Sequence, residues 1–138
     1  MTREALKTAI LARLSAVADM HPMGHQASYA NRYTLPVGTG ATVELMFQKG
    51  ENSPANLWVQ RNRVLPLIGG PIKHAHSEAV TLYSKTNAKG EKLYGRHSAL
   101  EKMPKLGKAD LVCFALASVG ELDTVLATLK TATVPSPN

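Results

Sequence analysis

The clearest strand pattern of this chain lies at residues 42–48, which read TVELMFQ. Apolar side chains occupy the odd-numbered positions of this segment, and a period of two predicts a β-strand that buries one face. The turn sequence Gly38-Thr39-Gly40 precedes it, and a strand-like run begins at Arg32 on the other side of that turn. These features together predict an antiparallel β-hairpin.

The two ends of the chain carry helix patterns. Apolar residues recur on one face from about Arg3 to Ala18, and Thr2 can cap that helix. Near the other end, Ser118-Val119-Gly120-Glu121 matches a capping box and is followed by the apolar stripe of a terminal helix. Further strands are predicted at residues 56–64, 79–84, 91–94 and 111–116, with a short helix from Ser98 to near Pro104.

These elements predict an α+β fold in which residues 1–132 form one domain. The expected architecture is a mainly antiparallel sheet of about five strands, with the N-terminal and C-terminal helices packed on it. Residues 133–138 are predicted to be a flexible tail. A length of 138 residues with 44% hydrophobic content is sufficient for one core. The single cysteine, Cys113, lies in an apolar run, which predicts a buried and inert thiol.

Positive charge is concentrated at residues 85–108. This segment holds seven basic and two acidic residues, a net charge of +5 out of the formal +6 of the whole chain. Such a concentration predicts an anionic partner, either nucleic acid or another polyanion, bound without strong sequence specificity. Arg96 can add a phosphate clamp with two arginines of the predicted third strand. The candidate nucleic-acid-binding residues are Arg61, Arg63, Lys85, Lys89, Lys92, Arg96, Lys102 and Lys105.

The sequence also bears on location and association. No apolar run approaches the roughly 20 residues that a membrane span needs, and the N-terminus lacks the order of a signal peptide. A cytoplasmic protein without a membrane partner is therefore predicted. A non-enzymatic homodimer, formed through an exposed sheet edge, is an alternative in which the basic residues serve solubility.

One polar run has the spacing of a metal site. In an extended strand, residues i, i+2 and i+4 project from one face, so that His74, His76 and Glu78 would come together. Two imidazoles and a carboxylate suit a divalent metal. The same run also fits a solvated loop, and the predicted binding function requires no cofactor.

Residues 82–96, which read LYSKTNAKGEKLYGR, resemble the opening hairpin of GIY-YIG nucleases, where two tyrosines on paired strands bracket a turn. The resemblance implies metal-supported strand cleavage, with Tyr83 and Tyr94 in positioning or proton transfer and Glu121 in the place of the metal-binding glutamate. A small metal-dependent hydrolase or nuclease of this kind is thus the enzymatic alternative, although no motif assigns a catalytic residue. Binding without catalysis is the interpretation that the sequence favours.

Overall fold

The computed structural model of the protein describes residues 2–38 and 40–131. The predicted tail at residues 133–138 therefore lies outside the described residues, as does Thr39 of the predicted turn. The helices and strands, in chain order, are α1 (Arg3–Val17), β1 (Asp19–Met20), β2 (Ala30–Pro36), β3 (Thr42–Gln48), β4 (Asn56–Gln60), β5 (His74–Ser77), β6 (Lys85–Thr86), β7 (Lys92–Leu93), β8 (Leu111–Ala115) and α2 (Val119–Thr131).

Six of these strands form one antiparallel sheet, in the order β1-β2-β3-β4-β8-β5. β2 and β3 form the predicted hairpin, with Tyr33 opposite Leu45. β8 lies between β4 and β5 and pairs with both, whereas β6 and β7 form a separate two-stranded sheet. With a helix from each end packed on the larger sheet, this is the predicted α+β single domain.

Both helices pack on the same face of the sheet. α1 contributes Ile10 and Leu14, and α2 contributes the apolar stripe that begins with Leu122. They meet the odd-numbered side chains of β3, which are all buried. Within the described residues, no helix combines the length and the apolar character needed to cross a membrane.

The helix starts have the side-chain caps that the sequence predicts. Thr2 Oγ1 accepts the Ala5 N–H at 3.1 Å. Ser118 Oγ accepts the Glu121 N–H at 3.1 Å, and Glu121 Oε1 accepts the Ala117 N–H at 2.8 Å. These bonds satisfy backbone donors that have no partner inside a helix.

The opposite face of the sheet is buried as well, which corrects the prediction that β3 buries one face. Met46 is fully buried on this face, and Glu44 is 4% exposed. Residues 94–109, called the cover segment below, run over this face and insert Leu100 and Leu106. A period of two shows how side chains alternate, but it cannot show that a later irregular segment folds over the polar side.

The cover segment also replaces a predicted helix. The helix expected from Ser98 is limited to the 3₁₀ turn Ser98–Leu100. Its cap is His97 rather than Ser98, because His97 Nδ1 accepts the Ala99 N–H at 3.1 Å. The chain then continues in turns, so that its apolar residues reach the sheet without a regular helix.

The predicted strands at residues 56–64 and 79–84 differ from the structure. β4 ends at Gln60, where the chain enters the 3₁₀ turn Arg61–Arg63. Residues 79–84 form no strand of the sheet, since they begin with the 3₁₀ turn Ala79–Thr81. Asp110 Oδ1 accepts the Ala79 N–H at 2.8 Å and holds the chain in that turn. Side-chain bonds to the backbone of this kind leave no trace in apolar periodicity.

Candidate nucleic-acid interface

The basic hairpin, defined as residues 85–93, projects into solvent. β6 pairs with β7 through Lys85 opposite Leu93 and Thr86 opposite Lys92, and every residue of the hairpin is exposed. Asn87 closes the turn, since its Oδ1 accepts the N–H of Lys89 at 2.9 Å and that of Glu91 at 3.0 Å. The hairpin therefore carries three exposed lysines, and hydrogen bonds of the Asn87 side chain hold its turn closed.

The cover segment extends this basic surface over the sheet. Its apolar residues pack against the face of the sheet that carries no helix, while three lysines of the segment remain exposed: Lys102, Lys105 and Lys108. The Tyr94 hydroxyl donates to the Gly107 carbonyl at 2.6 Å, and the Gly95 N–H donates to the Leu82 carbonyl at 2.8 Å. The first bond closes the cover segment on itself, and the second joins its start to the residues that precede the hairpin. The hairpin and the cover segment together are called the basic layer below.

The lysines and the arginine of the basic layer form no ion pairs with the described residues. Within residues 2–38 and 40–131, no lysine or arginine of the layer has a carboxylate oxygen within 4.0 Å. The ion pair found there is Arg13–Asp123 at 3.6 Å, between the helices, and the contact of His21 with Glu44 at 2.7 Å, beneath the cover segment, is a hydrogen bond. Six exposed lysines of the layer are therefore free of ion pairs in the described part of the chain, and three of them lie on the segment that covers the face of the sheet without helices.

Arg96 differs from these lysines because its guanidinium is fully engaged. Nε donates to Ser77 Oγ at 2.6 Å, and Nη2 donates to the carbonyls of Ser77 at 2.8 Å and Ala109 at 2.6 Å. Nη1 donates to the carbonyls of Leu106 at 3.2 Å and Gly107 at 3.3 Å. A guanidinium has five N–H groups, so none remains for a phosphate. Arg96 joins β5 to the end of the cover segment.

The two other predicted arginines lie at the end of β4. The Arg61 N–H donates to the Asp110 carbonyl at 2.9 Å, next to the Ala109 carbonyl that Arg96 binds. The segments that carry Arg61 and Arg96 thus approach each other, as a phosphate clamp requires, but Arg96 has no free donor. Arg61 Nε is buried without a hydrogen-bond partner among the described residues, and Arg63 is partly exposed.

A buried carboxylate that the sequence analysis missed anchors the cover segment. Glu44 Oε1 accepts the N–H of Lys105 at 2.7 Å and that of Leu106 at 2.9 Å, and Oε2 lies 2.7 Å from His21 Nε2. His21 Nδ1 accepts the Met23 N–H at 3.0 Å, so the ring proton is on Nε2 and is donated to Glu44. No sequence signal marks Glu44, which has the spacing of a solvent-side strand residue.

The predicted metal ligands lie at the sheet edge on the helix side. β5 is extended, as the metal prediction requires, and the rings of His74 and His76 stack at 6.1 Å between centroids. Both nitrogens of His74 are engaged, with Nδ1 2.7 Å from the Ile72 carbonyl and Nε2 accepting the Gly69 N–H at 3.2 Å. Among the described residues, no three side chains are placed to hold a metal together, and this includes the predicted set of His74, His76 and Glu78. The metal site stays a prediction without geometric support.

The nuclease-like tyrosines lie outside the paired strands. Tyr83 precedes β6 and Tyr94 follows β7, and their rings are 6.1 Å apart. Burial raises the pKa of the Tyr94 phenol, and its hydroxyl is donated to a backbone carbonyl. Glu121 is engaged as a helix cap. Cys113 lies on β8, where burial raises the thiol pKa to about 12 and keeps it protonated at neutral pH.

Comparison of the chain with protein-family models, with curated proteins and with solved structures gives no match in any of the three. The function of this chain is therefore inferred from the geometry of its basic layer.

Proposed function

We propose that this protein binds nucleic acid through the basic layer, without strong sequence specificity. The observation that carries the proposal is the absence of carboxylate partners for the layer's six exposed lysines within the described residues. An uncompensated cationic surface attracts a phosphate backbone and releases its condensed counterions on binding.

The chemistry of the layer supports backbone contact rather than base reading. Lysine ammonium groups act as compact charges on flexible stems, without the planar fork that reads guanine in a major groove. The arginine that could supply such a fork, Arg96, is held by five hydrogen bonds to the protein. Tyr83 and Leu93 are 37% and 44% exposed beside the lysines and can add apolar contact with sugars or bases.

Two variants with equal charge change test the proposal. Replacing Lys85, Lys89 and Lys92 with glutamine should weaken binding of a labelled oligonucleotide by roughly 10- to 100-fold at low salt, because each phosphate contact releases about 0.7–0.9 counterions. The matched control replaces Arg3, Arg13 and Lys130 with glutamine, on the helices of the opposite face. Fluorescence anisotropy measures both affinities. Equal losses in the two variants would show a general charge effect and contradict the proposed interface.

The alternatives have less support in the geometry. A hydrolase needs a metal or an activated nucleophile, whereas three of the side chains considered for that role, His74, Tyr94 and Glu121, are engaged in structural hydrogen bonds. Homodimer formation through an exposed edge of the sheet stays an alternative prediction. A cytoplasmic location belongs to the proposal, since a lone thiol is compatible with a reducing compartment.

A further inference from the structure

A cavity of about 480 Å³ lies where β3 ends beside the start of the cover segment. Its walls include Tyr29, Gln48, Glu51 and His97. The volume is within the roughly 300–1,000 Å³ typical of sites for small molecules. None of these residues belongs to the predicted binding set, and the cavity opens next to the basic layer.

His97 lines this cavity and carries a hydrogen-bond donor that no described residue uses. Its Nδ1 accepts the Ala99 N–H, so a neutral ring must carry its proton on Nε2. Burial, and then the charge of Arg32, lowers the pKa of His97, which keeps the ring neutral at pH 7. Nε2 has no hydrogen-bond partner among the described residues.

Gln48 supplies a second donor of fixed orientation. Its Oε1 accepts the Trp58 Nε1–H at 2.7 Å and the Asn56 amide at 3.2 Å. Because an indole nitrogen can only donate, the oxygen of Gln48 must face Trp58 and the NH₂ group must face away. That NH₂ group has no partner in the described part of the chain.

The remaining walls add a ring and an acceptor. The Tyr29 side chain is 66% exposed although its backbone is held, since its carbonyl accepts the Lys49 N–H at 2.9 Å and the Gly50 N–H at 3.2 Å. The buried Lys7 of α1 fixes the same loop through a bond from Nζ to the Gly50 carbonyl at 2.5 Å. Glu51 contributes a carboxylate that accepts N–H groups. An exposed ring on a rigid loop beside oriented donors is the arrangement that holds a planar, polar heterocycle.

We infer that this cavity binds an unstacked base of a single-stranded nucleic acid, with the base stacked on Tyr29 and its acceptor atoms bonded by Gln48 and His97. The inference rests on the proposed function, because the basic layer would hold the phosphates of the same strand. His97 lies four positions after Leu93 of the basic hairpin, so the cavity wall is at most about 14 Å from the hairpin by chain length. That distance is short enough for one strand to span both.

The test compares single strands with substrates that cannot supply a free base. The probes are a labelled single strand of mixed sequence, the same strand with abasic sugars, and its duplex. Tyr29→Ala should weaken single-strand binding by roughly 5- to 100-fold, since stacking of one base is worth about 1–3 kcal/mol. Binding of the abasic strand and the duplex should stay within about twofold of the wild type, because neither places a base in the cavity.

Two further variants separate stacking and hydrogen bonding from structure. Tyr29→Phe keeps the ring and should bind the single strand like the wild type. His97→Asn keeps a side-chain oxygen that can cap the Ala99 N–H but removes the Nε2–H donor, so it should weaken single-strand binding several-fold at unchanged melting temperature.

The outcomes distinguish the two proposals. If the wild type binds none of the three probes, the proposed function fails and this inference fails with it. If the wild type binds all three and Tyr29→Ala weakens them equally or not at all, the basic layer stands and the base-binding cavity is overturned.

Discussion

The Glu44→Ala variant is expected to lose about 4 kcal/mol of unfolding free energy, because each buried donor left without a partner costs about 1–3 kcal/mol. The donors that lose their acceptor are the N–H groups of Lys105 and Leu106 and the ring N–H of His21. Urea denaturation measures the change. Because the cover segment then lacks its anchor on the sheet, its amides should also exchange with solvent faster than those of β3.

Two other variants make this result specific. Glu44→Gln keeps one acceptor for the backbone donors, but its NH₂ group faces the His21 N–H, so an intermediate loss is expected. Glu101→Ala removes an exposed carboxylate of the same segment and should change the unfolding free energy by less than about 0.5 kcal/mol. If Glu44→Ala is as stable as Glu101→Ala, the anchor is not formed in solution.

The Arg96→Ala variant is expected to be destabilised by about 3 kcal/mol, because hydrogen bonds to a charged donor contribute about 1.5–3 kcal/mol each and some of the freed carbonyls regain water. Arg96→Lys keeps the charge but cannot reproduce five bonds in the plane of the guanidinium, so it should lose most of the same stability. Chemical denaturation measures both variants.

Oligonucleotide affinity of the folded Arg96→Lys protein then assigns the role of Arg96. A structural clamp predicts unchanged affinity at reduced stability. The opposite pattern, with unchanged stability and a marked loss of affinity, would return Arg96 to the phosphate-contact role that its sequence position suggested.

The elements that the sequence predicts correctly are those with strong local signals. The β2–β3 hairpin follows from alternation around a glycine turn, and both helices follow from apolar stripes with caps at Thr2 and Ser118. Each of these signals lies within the element itself, so no knowledge of distant residues is needed.

The candidate site is harder to predict from the sequence, because the hydrogen-bond partners that decide its chemistry lie far away along the chain. Arg96 looks like the exposed lysines around it, and its acceptors at Ser77 and Ala109 lie 19 and 13 residues away. Glu44 is 61 residues from the Lys105 N–H that it accepts. Whether a charged side chain faces solvent or holds a loop is decided by such long-range contacts, which alternation and charge counts do not contain.

The cavity residues show the same limit. The sequence predicts His97 to be a neighbour of a helix cap, yet His97 is the cap itself and lines the cavity. Gln48 reads as the last polar position of a strand, and its orientation is fixed by Trp58 on the next strand. Oriented donors of this type become visible when the hydrogen-bond partners of each atom are known.

The salt dependence of oligonucleotide binding tests the central claim most directly. The logarithm of the association constant for a single strand should fall linearly with the logarithm of salt concentration, and replacing Lys85, Lys89 and Lys92 with glutamine should reduce that slope by about 2, since about 0.7 counterions are released per phosphate contact. The Arg3, Arg13 and Lys130 control should keep the wild-type slope. An unchanged slope in the hairpin variant, or no binding by the wild type at low salt, would contradict the account.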